Sequence, residues 1–128
     1  MRMLIVDDVM TNCAVLKRMA MRVFGGDIDI ETSSLAAIKA CHERTYDIII
    51  TDYMMPDLDG IGMVAVLRSF DEYKRTPIIM TSACTDSVVL NKSMRLGVDN
   101  FMTKPINAEQ FRTKISHYLS MRPSAFAA

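Results

Sequence analysis

Five polar or charged residues follow short apolar runs of this sequence and could together do chemistry. Asp7 and Asp8 follow the first run, and Asp52 follows the second. Ser82 follows a third run, and Lys104 follows a fourth. Crowded carboxylates repel one another unless a cation compensates them, and Mg²⁺ binds through one or two carboxylates, waters and often a phosphate. The set therefore predicts a Mg²⁺ site in which Lys104 is the counter-charge for a bound anion.

Each of these residues also has an ordinary structural explanation. An Asp at the end of a strand commonly forms a turn or caps a helix, Ser82 could cap the next helix, and Lys104 could be a solvated charge. The combination is more specific than its members, because an Asp carboxylate can carry a phosphoryl group as a covalent intermediate. No His or Cys stands at a spacing that zinc would favour.

The apolar runs predict a sheet that brings these residues together. Short, continuous apolar runs are typical of central parallel strands that are buried on both faces. Such runs occupy residues 3–6, 47–51, 77–81 and, more weakly, 98–102. Residues 28–32 alternate between apolar and polar side chains, which predicts an edge strand.

Segments with helical spacing lie between and after the runs. The expected buried stripes are Leu16, Met19 or Ala20 and Val23; Leu35, Ile38 and Cys41; Met63, Val66 or Leu67 and Phe70; and Ala108, Phe111, Ile115 and Leu119. The expected N-caps are Thr11 or Asn12, Ser33 or Ser34, Thr85 or Asp86, and Asn107, while the third helix follows Gly60. Helix ends are expected at Gly25-Gly26, at Gly97 and at Pro123, which cannot continue a helix without losing a hydrogen bond.

Strands that alternate with helices at this spacing predict an α/β domain of the (βα)₅ type. Its sheet should be parallel, with right-handed crossovers and helices on both faces. For five strands we expect the flavodoxin-like order 2-1-3-4-5. Ligands of such sheets bind beyond the carboxyl ends of the strands, near the switch point between strands 1 and 3. The five polar residues named above lie at those ends.

Composition limits the function classes. The chain has 128 residues, of which 50% are hydrophobic, and its 15 basic and 15 acidic residues cancel to a formal net charge of zero. This argues against disorder and against a whole-domain nucleic-acid binder. No apolar run approaches the ~18 residues of a membrane span, and the N-terminus is too short in apolar residues for a signal peptide, so we expect a cytoplasmic protein. We expect Cys13, Cys41 and Cys84 to be reduced, and the 12 methionines mainly to fill the core.

The ordered set of motifs resembles the receiver domain of two-component response regulators. The motifs are the pair Asp7-Asp8, the segment 52–60 that begins with Asp52, and the pairs Ser82-Ala83 and Lys104-Pro105. The spacings of 30 residues from Asp52 to Ser82 and 52 from Asp52 to Lys104 agree as well. The resemblance covers residues 1–122 and leaves 123–128 as a short tail. It implies a phosphoacceptor rather than an enzyme.

The resemblance implies a role for each residue of the metal and phosphoryl site. Asp52 would be the phosphoacceptor. Asp8 and Asp52 would bind Mg²⁺ together with the main-chain carbonyl of Met54, and Asp7 would act mainly through water. Lys104 would pair with a phosphoryl oxygen.

Further residues are implied to bind the phosphoryl group, to switch or to shape turns. Ser82, followed by Ala83, takes the place of the family's hydroxyl residue, and Phe101 takes the place of its switch aromatic. Gly60 and Pro105 would shape turns, and the Lys104-Pro105 bond is expected to be cis. Met54 and Cys84 occupy variable positions that modulate phosphoryl lifetime in the family, and Ile106 stands where Phe is frequent.

The resemblance also implies partners. A sensor histidine kinase or a histidine phosphotransfer protein would donate the phosphoryl group. A downstream target or output domain would be reached through the face of the fourth helix, fifth strand and fifth helix, from about Thr85 to Leu119. Direct nucleic-acid or membrane binding is not expected, and a homodimer could form on phosphorylation.

Other functions remain open at this point. A phosphatase of the haloacid dehalogenase type would need a second Asp two residues after the nucleophile, where this chain has Met54. A flavodoxin would need a hydroxyl- and Gly-rich loop where Asp7 and Asp8 stand. A degenerate receiver used only for binding is a third alternative. The chain could also be a stand-alone regulator or a receiver from a longer protein.

Overall fold

The elements of the chain alternate between strands and helices throughout. The computed structural model describes residues 1–83 and 86–126, with side chains described up to 121. The elements are β1 (Arg2–Val6), α1 (Met10–Ala20), β2 (Asp27–Glu31), α2 (Ser34–Glu43), β3 (Ile48–Asp52), α3 (Gly60–Arg68), a short 3₁₀ helix (Asp71–Tyr73), β4 (Ile78–Ser82), α4 (Ser87–Arg95), β5 (Asn100–Thr103) and α5 (Ala108–Phe126). The predicted cap at Thr85 and the position of Cys84 lie outside the described residues.

The five strands form one parallel sheet in the order β2-β1-β3-β4-β5. This confirms the predicted α/β fold class and strand order. β2 is an edge strand whose residues are half-buried or exposed, as its alternating pattern predicted. β3 and β4 are buried along their whole length, because helices cover both faces of the central sheet.

Strand side chains alternate between two core layers. Met3, Ile5, Ile50, Ile79 and Met102 pack with α1 and α5 on one side, which we call the α1–α5 face. Leu4, Val6, Ile49, Ile78 and Met80 pack with α2 and α3 on the other side, which we call the α2–α3 face. Because successive residues of a strand point to opposite sides, a residue's position in a strand decides which layer it joins.

The predicted start and end of α1 are both wrong, because the helix ends at Ala20 rather than at Gly25-Gly26. The helix begins at Met10 with Val9 as its N-cap, rather than with Thr11 or Asn12. Val9 has no side-chain oxygen to cap the helix, and its own N–H donates to the carboxylate of Asp7 at 2.9 Å. An Asp that accepts from the N–H two residues later forms an Asx turn, and this turn starts the helix earlier than the capping pattern indicated.

The caps of α2, α4 and α5 agree with prediction, whereas α3 begins at Gly60 itself and is capped by Asp59, which accepts from the N–H of Gly62 at 2.8 Å. The Ser33 hydroxyl accepts from the N–H of Ala36 at 3.0 Å, and Asp86 accepts from Val88 at 2.8 Å. Asn107 accepts from the N–H of Gln110 at 2.7 Å at the start of α5. Each cap satisfies an N–H that has no partner within its own helix.

The predicted buried face of α2 is partly wrong. Leu35 is 60% exposed, whereas Ser34, Ala37 and Cys41 face the sheet together with Ala40. Small side chains at these positions let α2 approach β1 and α3 closely, and Leu35 lies on the opposite side of the helix. For α3 the sequence left open whether Val66 or Leu67 faces the core. Leu67 is buried and Val66 is half-buried, so Leu67 is the core residue.

The predicted stop at Pro123 is also wrong, because α5 continues to Phe126. The fixed φ of proline lies in the helical region, so proline removes one hydrogen bond without forcing the backbone out of the helix. The boundary drawn at residue 122 between domain and tail stays a prediction. Within the described part of the chain, no helix combines the length and apolar character that a membrane span requires.

Methionine fills the core less than expected. Met3, Met55, Met63, Met80 and Met102 are buried. The exposed group is Met1, Met10, Met21, Met54, Met94 and Met121, so the prediction is wrong for half of the 12 methionines. Most of the exposed residues stand on or beside helices, where the unbranched side chain of Met suits the helical backbone. Cys13 and Cys41 are buried free thiols, in agreement with prediction.

Candidate functional site

Three carboxylates meet at the carboxyl ends of β1 and β3. Asp7 and Asp52 are buried, and Asp8 is exposed at the rim. Oxygen atoms of the three side chains lie within 4.8 Å of one another. Neighbouring parallel strands place residues that end them side by side, so the acidic pair and Asp52 converge although 44 residues separate Asp8 from Asp52. The structure thus brings together the predicted acidic cluster.

Asp7 is held in place by the start of α1. Its carboxylate accepts the N–H of Val9 at 2.9 Å, and the side-chain amide of Asn12 lies 3.4 Å from each of its oxygens. The thiol of Cys13 donates to the main-chain carbonyl of Asp7 at 3.2 Å. These contacts orient the buried carboxylate of Asp7 at the end of β1.

Lys104 places one ammonium group among these acids. Its Nζ donates to Asp52 Oδ1 at 2.9 Å and lies 3.6 Å from Asp7 Oδ2. Its own N–H donates to the carbonyl of Ser82 at 2.9 Å, which continues the pairing of β4 with β5 by one residue. The Lys104-Pro105 peptide bond is cis, as predicted.

The site's electrostatics follow from burial and from these ion pairs. Burial raises the pKa of the Asp52 carboxyl and the nearby Asp7 charge raises it further, against the lowering effect of the Lys104 hydrogen bond. Burial alone would lower the pKa of Lys104, but its contacts with Asp52 and Asp7 raise it above its usual value. Burial, with the charge of Asp7, raises the pKa of the Cys13 thiol to about 11, so this thiol is not a nucleophile.

The donor set fits a hard divalent cation. Three carboxylates face the single ammonium of Lys104, so the cluster of described residues keeps a net negative charge. Its side-chain ligands are all oxygens, which Mg²⁺ prefers, and the exposure of Asp8 leaves room for the waters that Mg²⁺ retains. The main-chain carbonyl of Met54 stays a predicted ligand.

A cleft opens over Asp52 on the β4 and β5 side of the cluster. It is lined by Asp52, Tyr53, Met54, Ser82, Ala83 and Lys104. Ser82 is buried at the end of β4, whereas Ala83 is exposed and the Met54 side chain is 70% exposed. The cleft is therefore positioned to receive a small group bonded to Asp52.

Phe101 lies on the other side of the sheet from Lys104. It is half-buried and packs against the α2–α3 core layer, and its register partner on β4 is Met80. Ser82 follows Met80 by two residues and so shares this side of the sheet with Phe101. The arrangement places the two predicted switch residues as neighbours along one face, although the cleft contains only Ser82.

Gly60 permits the tight turn that follows Asp52. Its N–H donates to the carbonyl of Tyr53 at 2.9 Å, and a Cβ at this position would lie 2.2 Å from the carbonyl oxygen of Asp52. Within the same loop Asp57 has a φ of 69°, and the N–H of Leu58 donates to the carbonyl of Pro56. Only glycine allows α3 to begin this close to the end of β3.

Sequence reasoning missed residues that support the site from outside the motifs. Asn12 was interpreted as a helix cap but contacts Asp7. The hydroxyl of Ser34, on α2, donates to the carbonyl of Leu58 and so holds the loop after Asp52. Thr81, next to Ser82, was interpreted only as part of a strand, although it lies beside Asp52 in the sheet. No local pattern signals these contacts, because each joins residues that are distant in the sequence or depends on strand register.

Comparison with known sequences gives one consistent result. The family model of the response regulator receiver domain matches residues 3–116. The chemotaxis protein CheY of Pseudomonas aeruginosa is 28% identical over 116 residues, which cover 90% of this chain and 93% of that protein. Probable histidine kinase 1 of Oryza sativa subsp. indica is also 28% identical, over 92% of this chain but only 15% of that protein.

Solved structures share the fold. Chemotaxis protein CheY4 of Vibrio cholerae superposes with a TM-score of 0.86 at 23% identity, over 91% of this chain and 97% of that one. The receiver domain of a Pseudomonas aeruginosa sensor histidine kinase, described with a magnesium ion coordinated in its active site cleft, superposes with a TM-score of 0.82 at 21% identity, over 93% of this chain and 97% of that one. At these identities the likeness establishes the α/β fold.

Proposed function

Because this chain belongs to the response regulator receiver domain family, we propose that it accepts a phosphoryl group on Asp52 from a phosphohistidine of a partner kinase or phosphotransfer protein. The observation that carries the proposal is the convergence on Asp52 of two further carboxylates and the Lys104 ammonium, at 2.9 Å from Asp52 Oδ1. The family match over residues 3–116 and the position of Asp52 within this cluster both support the proposal.

The transfer uses the groups that line the cleft. A carboxylate oxygen of Asp52 attacks phosphorus, the bond from phosphorus to the donor imidazole breaks, and its electron pair returns to the imidazole nitrogen. Lys104 then pairs with a phosphoryl oxygen, and the Ser82 hydroxyl donates to another. The main effect of these residues is to position the reactants and to compensate charge on the transferring oxygens.

Asp8 and Asp52, with the main-chain carbonyl of Met54, would hold Mg²⁺, and Asp7 would reach it mainly through water. When bound, Mg²⁺ neutralises charge on the phosphoryl oxygens. Asp7 contributes most through its rigid orientation by Val9 and Asn12, which keeps a buried negative charge beside the metal position. The chain in this account is a phosphoacceptor that assists its own modification rather than an enzyme with a separate substrate.

The phosphorylated form would be read on the face of α4, β5 and α5. Ser82 lies just before α4 and Phe101 lies on β5, so a shift of Ser82 toward the phosphoryl group frees space into which Phe101 can turn. The result is a population shift between two forms of this face. A change from 1:99 to 99:1 would require about 5.5 kcal/mol in favour of the active form.

The partners follow from the relatives by analogy. The chain spans 15%, 16% and 32% of the length of three matched relatives, which are two histidine kinases and a cyclic di-GMP phosphodiesterase response regulator. It spans 93% of the chemotaxis protein CheY of Pseudomonas aeruginosa. We therefore propose a cytoplasmic role with a histidine kinase or phosphotransfer donor and a downstream target or output domain, without direct nucleic-acid or membrane binding. A homodimer on phosphorylation remains part of this proposal.

The proposed function is tested by phosphorylation in the absence of the partner. Incubation of the chain with acetyl phosphate and Mg²⁺ should add one phosphoryl group, detected by intact mass. Asp52→Asn should abolish the added mass, because the amide is not a nucleophile toward phosphorus. Removal of Mg²⁺ by a chelator should abolish it as well.

A matched control, Asp57, lies five residues after Asp52 in the loop that follows β3. Asp57→Asn changes an exposed Asp whose φ of 69° asparagine also tolerates, so it should label at the wild-type rate. Labelling of Asp52→Asn at the wild-type rate would show that the phosphoacceptor is wrongly assigned. Labelling that persists without metal would contradict the Mg²⁺ site.

A further inference from the structure

Thr81 carries a buried hydroxyl without a hydrogen-bond partner. The residue has no solvent exposure, and its Oγ1 finds no acceptor or donor among the residues that the structure describes. Buried side-chain hydroxyls in proteins are nearly always bonded, so an exception calls for a physical reason. At most positions in a strand interior, Val would fill the same space without a polar atom. The hydroxyl of Thr81 is therefore a feature that the fold does not require.

Strand register places Thr81 beside the proposed phosphoacceptor. Thr81 on β4 is the register partner of Asp52 on β3, and its other partner is Met102 on β5. Ile79, two residues before Thr81, packs in the α1–α5 layer together with Ile50, two residues before Asp52. Because side chains two residues apart share a face, Thr81 and Asp52 point to the same side of neighbouring strands about 5 Å apart.

The side chain of Lys104 crosses the part of β4 that contains Thr81. Lys104 follows β5, and its Nζ reaches Asp52 on β3 at 2.9 Å. To make this contact the side chain has to cross β4, where Thr81 and Ala83 belong to the same face. Thr81 thus lies next to the Asp52–Lys104 hydrogen bond but takes no part in it.

Phosphorylation would leave an oxygen of Asp52 without a hydrogen-bond donor, and the Thr81 hydroxyl could replace that donor. In the proposed function Lys104 leaves Asp52 Oδ1 and pairs with a phosphoryl oxygen. An oxygen of the buried Asp52 side chain then loses its hydrogen-bond donor, while Thr81 has a donor without an acceptor. A turn about the Cα–Cβ bond of Thr81 moves the hydroxyl without changing the volume of the side chain much, since hydroxyl and methyl are similar in size.

We propose that the hydroxyl of Thr81 donates a hydrogen bond to the Asp52 side chain once Lys104 has moved to the phosphoryl group, and that this bond shortens the life of the phosphorylated state. The inference rests on the proposed function and assigns Thr81 as an auxiliary donor to the reacting carboxyl group.

The proposed hydrogen bond from Thr81 to Asp52 affects hydrolysis of the aspartyl phosphate. A water oxygen bonds to phosphorus, the bond from phosphorus to the Asp52 oxygen breaks, and its electron pair passes to the Asp52 carboxylate. One water proton stays on the phosphate and the other goes to solvent. The carboxyl group gains negative charge as it leaves, so a donor to it binds more strongly in the transition state than in the aspartyl phosphate. The hydroxyl of Thr81 therefore accelerates loss of the phosphoryl group.

The test compares two variants of the full chain. Thr81→Val keeps the shape and removes the hydroxyl, whereas Thr81→Ser keeps the hydroxyl. Each protein is labelled with acetyl phosphate and Mg²⁺, freed of excess reagent, and followed by intact mass. We expect Thr81→Val to hold its phosphoryl group about tenfold longer than wild type, the effect of one hydrogen bond, and Thr81→Ser to stay within about twofold of wild type.

Two readouts on the protein without acetyl phosphate separate this role from a structural one. Thr81→Val should unfold at an equal or higher urea concentration than wild type, because it removes a buried polar atom that has no partner. Beryllofluoride with Mg²⁺ should shift the methyl resonance of Thr81 in wild type, as the side chain turns.

The outcomes are distinguishable. A labelled Thr81→Val that loses phosphate at the wild-type rate would overturn the inference and leave the proposed function intact. Equal lengthening in Thr81→Ser would also overturn it, because the hydroxyl would then not be the cause. Failure of wild type to label at all would overturn the proposed function, and this inference with it.

Discussion

At the scale of single residues, the site depends on close approach between one ammonium, three carboxylates and one main-chain turn. Lys104 is the basic side chain that ion-pairs with Asp7 and Asp52. Gly60 lets the chain turn back against the carbonyl of Asp52. Both residues act on Asp52, Lys104 through the charge of its side-chain carboxylate and Gly60 through the backbone at its main-chain carbonyl.

Replacing Lys104 should separate metal binding from phosphorylation. The Lys104 ammonium competes with a cation for Asp52 and Asp7, so Lys104→Met should bind Mg²⁺ more tightly, with a Kd lower by about tenfold. Its labelling by acetyl phosphate should be slower, because the charge that would pair with the phosphoryl group is gone. Calorimetric titration with Mg²⁺ measures the first effect and intact mass the second. Lys39→Met, an exposed change on α2, is the control, and an unchanged Kd in Lys104→Met would contradict the predicted competition.

Gly60→Ala should damage both stability and the site. Its Cβ would lie 2.2 Å from the Asp52 carbonyl oxygen, so the turn or the end of β3 has to move. We expect a loss of about 2–4 kcal/mol in the free energy of unfolding and slower labelling of Asp52. Gly25→Ala is the matched control, because its Cβ would meet nothing within 4 Å, and it should be nearly neutral. Urea denaturation compares the two, and equal stabilities would show that the turn relaxes freely.

At the scale of elements, the C-terminal end of α4 is tied to α3 through the turn that follows it. Within α4, Ser93 is the buried residue, and Val88 and Met94 are exposed. The turn after α4 is held by Arg68 of α3, whose guanidinium donates to the carbonyl of Gly97 at 2.7 and 3.1 Å and to Asp99 at 3.0 Å. The same group donates to the carbonyls of Tyr73 and Thr76. These contacts tie the turn after α4 to α3 and to the segment between α3 and β4.

Arg68→Lys should loosen this anchor while keeping the charge. A lysine has three N–H donors on one nitrogen and cannot reach partners on three segments, so we expect a loss of about 1–3 kcal/mol in the free energy of unfolding. Amide exchange at Val98 and Asp99 should become faster than in wild type. Arg75→Lys, an exposed conservative change, should leave both quantities unaltered. Wild-type exchange in Arg68→Lys would mean that the turn does not depend on the guanidinium.

The output face should respond to the state of the site. Beryllofluoride with Mg²⁺ mimics the phosphoryl group and should change amide chemical shifts along residues 82–104, most of which lie outside the cleft. The expected cause is repacking of α4 and of Phe101 against a moved Ser82. Asn91, Lys92 and Arg95 on α4 and Arg112 on α5 are exposed on the proposed face and should follow. Shifts confined to the surroundings of Asp7, Asp8 and Asp52 would keep the site but remove the switch.

At the scale of the whole molecule, several groups that titrate above neutral pH have a pKa that is raised in the folded state. Burial raises the pKa of the Cys13 and Cys41 thiols to about 11, and it raises the pKa of the buried Tyr46 and Tyr73 hydroxyls as well. The pKa of Lys104 is also raised, by its carboxylate partners against the effect of burial. In every case the folded state holds a proton more tightly than the unfolded chain does.

The free energy of unfolding should therefore fall as the solution becomes alkaline. A group whose pKa is raised on folding contributes fully below its unfolded pKa, about 9 for a thiol, and loses that contribution as the pH rises toward its folded pKa. We expect urea denaturation to show nearly constant stability from pH 7 to 8.5 and a loss of roughly 2 kcal/mol per buried thiol by pH 11. The double change Cys13→Ala and Cys41→Ala should reduce the slope above pH 9. A slope that is unchanged in this variant would assign the effect to the tyrosines and Lys104 alone.

The sequence by itself determined the strands and the residues at their ends. Continuous apolar runs indicate strands that are covered on both faces, so β1, β3 and β4 could be predicted from the sequence. The alternation of strands and helices then predicted that Asp7, Asp8, Asp52, Ser82 and Lys104 lie at one edge of a parallel sheet. Helix boundaries were less certain, because capping patterns are short: the Asx turn at Asp7 displaced the start of α1, and α5 passes through Pro123. A capping pattern in the sequence does not show which of two possible hydrogen bonds at a helix end is the more stable.

Only the tertiary structure decided which distant residues act on the site. Asn12 contacts Asp7, Ser34 holds the loop after Asp52, and Arg68 ties α3 to the turn after α4. Thr81 lies beside Asp52 because β3 and β4 pair in one register, and a shift by one residue would turn its hydroxyl to the other face. A pattern within one segment determines which side chains are apolar, whereas the partner of a polar side chain depends on how separate segments pack, and that packing is set by the whole chain.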